Sequence, residues 1–264
     1  MKAIILIAFF CILSYNRFMN ILLTNDDGFE SDGIRQFAQL LSEKHNVVLI
    51  APESNRSAVS HSLSIFKNIV VKKISGGKFD VYSVSGTPAD CVKFAHHELS
   101  EKFPIDLVVA GINRGHNLGT DILYSGTVSA AFEGAALGYK AMAFSYVEHS
   151  GGDMRSCALI ACNLLDKLYP LTTSDYIWNI NIPSLINGTI SGVKITPLGK
   201  QIYSDNFKKV SEDTYILVGE MLVHDENDEN CDVELSRKGY VTVTPLLYDK
   251  TAFSVLKRFE KLEL

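Results

Sequence analysis

Asn20-Ile-Leu-Leu-Thr-Asn-Asp-Asp-Gly28 is a short apolar run that stops at two adjacent carboxylates. The run predicts a buried strand over Asn20–Thr24, and Asn-Asp-Asp-Gly predicts the turn that ends it. Asp26 and Asp27 repel each other at the tip of that strand unless something positive lies between or beside them. A hard divalent cation is the simplest such partner, because it takes oxygen ligands and offsets both charges. The competing reading is a turn whose Asp side chains accept backbone N–H groups. This stretch alone does not separate the two.

Working outward, strand-like and helix-like segments alternate as far as Pro183. An amphipathic stretch carries Ile34, Phe37, Leu40 and Leu41 on one face. Asn46–Ala51 then reads as a strand apolar throughout, consistent with burial on both faces. Ile69–Ile74 and Phe79–Val84 look like a hairpin around Ser-Gly-Gly-Lys. A helical stretch near Ala89–Leu99 leads to a strand at Ile105–Ala110, and an Ala-rich helix is predicted over Thr127–Leu137. A strand at Ala141–Val147, a helix at Arg155–Leu168 and a strand at Tyr176–Ile182 complete the alternation. Such alternation argues for an α/β domain: a Rossmann-like, three-layer arrangement with a mainly parallel sheet.

After Pro183 the pattern changes to short strands at Val193–Thr196, Thr214–Val218 and Tyr240–Thr244, and then a final helix over about Ser254–Leu262. The division expected is a catalytic core at 19–183 and a β-rich C-terminal region at 184–264. That region packs on the core or reaches a neighbouring subunit as an exchanged hairpin.

Four polar segments fall at or near strand ends: Asn25-Asp-Asp-Gly28, Pro52-Glu-Ser-Asn-Arg-Ser-Ala58, Gly111-Ile-Asn-Arg-Gly-His-Asn-Leu-Gly119 and Tyr124-Ser-Gly-Thr127. In an open α/β sheet the carboxyl ends of the parallel strands share one edge, and ligands bind there. Convergence of these segments favours the cation reading. Asp26 and Asp27 offer anionic oxygens, while Ser57 and Asn113 offer neutral ones, a set suited to Mg²⁺, Mn²⁺ or Ca²⁺. Ser125-Gly126-Thr127 opens a helix, where exposed amides and the helix dipole favour a phosphate. Each residue also has a plainer reading. Ser125 and Ser57 would serve as helix caps, Asn113 and Asn117 as turn formers, and Arg56 and Arg114 as solvated side chains.

Composition limits the alternatives. Hydrophobic residues make up 47% of the 264 residues, charged residues 21%, and the formal net charge is −5. That balance supports a full core and gives no electrostatic footprint for a nucleic-acid polymer. The acidic run His224–Asp232 reads as a solvated loop. Five scattered cysteines form no Cys-x-x-Cys pair and the histidines no metal-binding spacing, so neither zinc nor a disulfide framework is indicated, and a reducing compartment fits best. His96-His97 reads as part of a helix surface. Walker A, dinucleotide-binding and nucleophile-elbow motifs are all absent.

Residues 1–18 begin with Lys2 and an apolar run to Leu13 that has signal-peptide character but is too short to span a bilayer. No small-x-small cleavage site follows, and the first core strand begins directly after Met19. The preferred reading is a misassigned start or dispensable extension on a cytoplasmic protein with no membrane partner. Export or membrane tethering through residues 1–18 is the alternative.

In these motifs the chain resembles the SurE family of survival-protein nucleotidases. The matching pieces are Ile21–Gly28, Ala51–Ser57, Ser85-Gly-Thr-Pro-Ala-Asp-Cys-Val92, Gly111–Gly119, Asp121–Val128, Asn179-Ile-Asn-Ile-Pro183 and Gly239–Pro245. The resemblance implies a metal-dependent phosphatase acting on nucleoside 5′-monophosphates, often on 3′-monophosphates and sometimes on short polyphosphate. It implies one divalent cation per subunit, held by the positions matching Asp26, Asp27, Ser57 and Asn113. It also implies a homodimer or homotetramer with an exchanged C-terminal segment. Asp26 is the expected catalytic carboxylate, and Asn25, Asn117, Ser125, Gly126 and Thr127 the expected phosphate or substrate contacts. A non-catalytic nucleotide- or phosphate-binding module is the rival reading. His116 departs from the family pattern, which usually has Pro there.

Overall fold

The computed structural model describes residues 18–74, 77–147, 153–184, 189–224 and 229–259. The reading of the N-terminal extension therefore lies outside the described residues, apart from the exposed Phe18.

The first strand, β1 (Asn20–Thr24), has the bounds its sequence predicts. Helix α1 (Asp32–Leu41) buries Ile34, Phe37, Leu40 and Leu41, the four residues of its predicted apolar face. Strand β2 (Asn46–Pro52) runs parallel to β1, and β3 (Val71–Ile74) forms an antiparallel hairpin with β4 (Asp80–Val84). Helix α2 (Pro88–Phe94) continues into a single π-helical turn at Ala95–Leu99. Its start is closed by a reciprocal capping box: Thr87 Oγ1 accepts from the Asp90 amide, and Asp90 Oδ2 accepts from the Thr87 amide. Strand β5 (Leu107–Arg114), helix α3 (Gly126–Ala136), strand β6 (Lys140–Tyr146), helix α4 (Met154–Leu168) and strand β7 (Ile177–Ile182) follow.

The main sheet has nine strands, ordered β3-β4-β2-β1-β5-β6-β7-β13-β8, with β8 at Gly192–Ile195 and β13 at Tyr240–Leu246. Strands β4, β2, β1, β5, β6 and β7 are mutually parallel. From β1 the chain builds outward through β2 to β4, then returns to add β5, β6 and β7 on the other side. The crevice beyond the ends of β1 and β5 is thus the switch point of the sheet, where α/β folds place ligands.

Alternation along the strands divides the core into two layers. Ile21 and Leu23 of β1, with Leu107 and Val109 of β5, face α1 and α4 through Phe37, Cys157, Ala161 and Leu165. Leu22, Val108 and Ala110 face α2 and α3 through Cys91, Val92, Val128 and Ala131. Both faces of the central strands are covered, which is why their sequences are apolar throughout rather than alternating. Helix α3 lies very close to the sheet: a Cβ on Gly134 would come within 2.8 Å of Val108.

Part of the C-terminal region is built into the main sheet: β13 pairs antiparallel with β7 and parallel with β8, and Val241 and Val243 are buried in the main core. Outside the sheet lie two antiparallel pairs, β9 (Gln201–Tyr203) with β12 (Met221–His224), and β10 (Asn206–Ser211) with β11 (Thr214–Val218). Residues 225–228 of the acidic run are outside the described residues, but the run's last member, Asp232, is not solvated. It is fully buried at the start of helix α5 (Asp232–Arg237). Its carboxylate accepts from the amides of Gly119 (2.9 Å), Gly199 (2.7 Å) and Val233 (2.9 Å). A buried carboxylate is tolerated here because three N–H donors replace its water. The last described element is helix α6 (Phe253–Arg258).

Asp232 therefore clamps the third polar loop to the C-terminal region. Replacing it with Ala would leave buried amides without an acceptor, and about 2–4 kcal/mol of stability should be lost. Urea denaturation of Asp232→Ala checks this; a midpoint unchanged from the parent would contradict it.

Candidate active site

The four polar segments do converge at the switch point, held together mainly by backbone and carboxylate contacts. After β1 the chain turns through Asn25–Gly28. Asn25 Oδ1 accepts from the Gly28 amide (3.2 Å), while Asn25 Nδ2 donates to the Gly28 carbonyl (2.9 Å) and to Ser31 Oγ (2.8 Å). Gly28 has φ +100°, a left-handed conformation costly for any residue with a Cβ, and such a Cβ would also crowd the Ser54 backbone. This turn projects Asp26 and Asp27 toward different neighbours.

Asp26 is only 4% exposed. Its Oδ1 accepts from Thr127 Oγ1 (2.5 Å) and its Oδ2 from the Thr127 amide (3.2 Å), so α3 grips it at its first turn. The approach is so close that a Cβ on Gly126 would lie 2.9 Å from the Asp26 side chain. The Asp26 carbonyl accepts from the Arg56 amide at 2.6 Å, tying the second segment to the first. Burial, with the neighbouring Asp27 charge, raises the Asp26 carboxyl to about 6 from its ordinary 3.8.

Asp27 joins the other two strand ends. Its Oδ2 accepts from the Arg114 amide (3.0 Å) and its Oδ1 from Asn55 Nδ2 (3.4 Å). Burial raises its carboxyl too, and the Arg114 contacts partly offset the rise. Asn55 Oδ1 in turn accepts from the Ser57 amide (2.8 Å), so Ser57 is linked to Asp27 through Asn55. Asn113 precedes Arg114 at the end of β5, just after an irregularity in the pairing of β5 with β6. Its Nδ2 donates to the Gly115 carbonyl (3.0 Å), leaving Oδ1 as an acceptor for a ligand. The third segment is therefore part strand and part loop, since β5 extends to Arg114 rather than ending at Ala110.

Three of the expected phosphate contacts serve other groups in this geometry. Asn25 spends its side-chain amide closing the turn. Thr127 directs both its amide and its hydroxyl at Asp26. Asn117 is framework: its Nδ2 donates to Ser145 Oγ (2.7 Å), its amide to Asn181 Oδ1 (2.8 Å), and its carbonyl accepts from Asn179 and Asn181. This network accounts for the Asn179-Ile-Asn-Ile-Pro183 motif on β7. Ser125 is the N-cap of α3, accepting from the Val128 amide (3.1 Å), and its own hydroxyl hydrogen is still available to donate. The Gly126 amide, at the first helical position, has no intrahelical acceptor. Ser125 and Gly126 thus keep donors at the start of α3 that are not turned to Asp26.

Arg56, expected to be solvated, donates instead through Nη2 to the Ser85 carbonyl (3.0 Å). Asn55 and the Arg114 amide, not singled out from sequence, are direct partners of Asp27. Asn55 carries no signal beyond its place one loop after a strand.

Among the described residues no group of three or more His, Cys, Asp or Glu could hold a metal, and the four described cysteines are free thiols. A cation here would rest on Asp26, Asp27 and neutral oxygens from Ser57 and Asn113, the donor chemistry of a hard ion. Burial is the largest cause of the rise in both carboxyls, and an opposite charge beside them would favour their ionised forms.

A family model described as survival protein SurE matches residues 21–205. The chain is 43% identical over 252 residues to a protein from Clostridium botulinum (strain Loch Maree / Type A3) named 5′-nucleotidase SurE, covering 93% of this chain and 100% of that relative. A relative of the same name from Petrotoga mobilis is 39% identical over 246 residues, 90% of this chain and 96% of that one. The fold superposes on the crystal structure of the SurE protein from Aquifex aeolicus with a TM-score of 0.79 and 36% identity, over 92% of this chain and 99% of that one. With the sheet order, the carboxylate pair and these likenesses in agreement, the chain belongs to the survival protein SurE family.

Proposed function

We propose that the chain is a divalent-cation-dependent phosphomonoesterase that releases phosphate from nucleoside 5′-monophosphates. The observation that carries this reading is the carboxylate pair itself: Asp26 locked to α3 and Asp27 bridging the ends of β2 and β5. Its relatives' name, 5′-nucleotidase SurE, supports the same chemistry. Asp26, Asp27, Ser57 and Asn113 would hold one cation, Mg²⁺, Mn²⁺ or Ca²⁺ by the hardness of the donors. Bound there, it would supply Lewis-acid polarisation of the phosphoryl group and lower the pKa of water to near neutrality.

The chain's own residues do the rest. Ser125 and the Gly126 amide hold phosphoryl oxygens at the positive end of α3, where charge redistributes during transfer. Thr127 keeps the Asp26 carboxylate from rotating, so Asp26 meets the reacting water in one orientation. Asp26 orients that water and accepts its proton. The proposal extends to 3′-monophosphates and short polyphosphate, because each offers the same phosphoryl end to Ser125, the Gly126 amide and the cation.

We also assign the β10–β11 hairpin to subunit association. Phe207, Val210, Tyr215, Ile216, Leu217 and Val218 on it are 41–67% exposed. An apolar ribbon of this extent on a two-strand pair is unstable unless another surface covers it. A homodimer or homotetramer in which the hairpin is exchanged supplies that cover. Among the described residues no helix is long and apolar enough to cross a membrane. The four described thiols are free, three of them buried, which fits a reducing compartment, and on that ground we assign the chain to the cytoplasm.

Asp26→Asn and Asp27→Asn should each lower Mn²⁺- or Mg²⁺-dependent phosphate release from AMP or GMP by more than about a hundredfold, with the circular dichroism spectrum unchanged. Near-parent activity in either variant contradicts the site. The metal-free protein should also carry a linkage signature. Asp26 titrates near 6 when folded and near 3.8 when unfolded, so the folded state keeps its proton longer. Its contribution is present below about pH 4 and is lost as pH rises through about 6, by up to about 3 kcal/mol. In EDTA, urea titrations at pH 4 and pH 7 should therefore show Asp26→Asn gaining on the parent by that order; an unchanging difference contradicts it. Light scattering tests the hairpin: the parent should have a mass two or four times that of one chain, and Tyr215→Asp with Leu217→Asp should reduce it to one.

A further inference from the structure

The loop that carries Ser57 runs from β2 to β3, residues 53–70, and its backbone is not self-supporting. Ala58, Ser60 and Phe66 hold φ of 56°, 54° and 59°, left-handed values that residues with a Cβ disfavour. Such a path persists only when surrounding contacts over-determine it. Several contacts do so here, the Thr87 hydroxyl on the Ser62 carbonyl (2.8 Å) among them. The Arg56 amide is fixed to the Asp26 carbonyl, and Ser60 donates through its amide to the Tyr124 carbonyl (3.0 Å) and through Oγ to the Leu123 carbonyl (2.8 Å). The Ser64 amide donates to Asp90 Oδ1 (3.1 Å). The last joins two side chains: His61 Nε2 lies 2.9 Å from Glu133 Oε2.

Glu133 is an unexpected residue in its setting. It is buried, 5% exposed, on the Ala-rich helix α3. Its other oxygen, Oε1, is 2.7 Å from Lys93 Nζ at the end of α2. Burial alone would raise its carboxyl, but the hydrogen bonds from His61 and Lys93 more than offset this and hold it below its ordinary value. A buried carboxylate costs stability unless it is paired, so its retention in a close-packed helix calls for a role. Helix α3 already grips Asp26 through Thr127 at its first turn. Through Glu133, less than two turns on, the same helix also grips the loop that brings Ser57.

We propose that Glu133 and His61 are positioning residues for the cation site: from one rigid helix, Thr127 sets Asp26 and the Glu133–His61 pair sets Ser57. The inference rests on the reading of Asp26, Asp27, Ser57 and Asn113 as cation ligands. Removing His61 cuts the loop's tie to Glu133 while Lys93 keeps Glu133 paired and the other contacts remain, so the fold should survive; the His61 side chain is 38% exposed. The experiment is calorimetric titration of Mn²⁺ into the metal-free, full-length protein. His61→Ala should weaken Mn²⁺ binding about tenfold with a melting temperature close to the parent's, and Glu133→Gln should weaken it in the same direction. His61→Gln, whose amide reaches the position of Nε2, should recover binding to within about twofold of the parent. Parent-like affinity in His61→Ala overturns the proposal, as does weakened affinity that His61→Gln fails to recover. Asp26→Asn, run alongside, separates the two claims. Loss of Mn²⁺ binding there with none in His61→Ala sinks only the positioning role. Parent binding that Asp26→Asn leaves intact overturns the cation reading and this inference with it.

Discussion

The structure turns on a carboxylate held out of water. Asp26 sits at the tip of a strand buried on both faces, where its charge is costly, and it is kept there by a single residue of the facing helix, Thr127. That contact needs α3 to approach the strand end without a side chain between them, which is why Gly126 precedes Thr127. It also needs the helix to lie close along the sheet, which Gly134 permits over Val108. The fold's close packing on this face and the chemistry of the site are thus one requirement.

A second constraint follows from the neighbouring charge. Asp27 cannot share the Thr127 donors, and it turns instead toward the ends of β2 and β5 through Asn55 and the Arg114 amide. The two carboxylates thereby gather segments 26, 55–57, 113–114 and 125–127, which are far apart in sequence. The crevice they line coincides with the switch point of the sheet, where helix and loop ends leave room for a ligand. Farther out, Asn117 with Asn179, Asn181 and Ser145 fixes the floor, and Asp232 fixes the third loop to the C-terminal region.

Much of this was legible in the sequence because it follows from periodicity and strand ends. The unbroken apolar runs at Asn20–Thr24 and Asn46–Ala51 could be satisfied only by burial on two faces, and the chain covers both. The segments around Asp26 and Asp27 are legible because polar residues at the ends of parallel strands converge by topology. Individual roles were less legible, since they depend on which donor reaches which acceptor. Asn25 and Thr127 have the right chemistry for phosphate, yet their hydrogen bonds go to Gly28, Ser31 and Asp26. Asp232 looked like one more charge in a solvated run, because three backbone amides from separate loops leave no trace in local sequence. Strands β8 and β13 were seen as strands but not as part of the main sheet, since their pairing with β7 is long-range and their lengths are short.

Whether the two carboxylates share a cation decides the chemistry of the site. Crystals soaked in Mn²⁺ and measured at the manganese absorption edge address this directly. A shared cation gives one anomalous peak per chain, about 2.0–2.4 Å from carboxylate oxygens of both Asp26 and Asp27, with Ser57 and Asn113 turned toward it. A peak elsewhere, or none, with Asp26 still held only by Thr127, would contradict it.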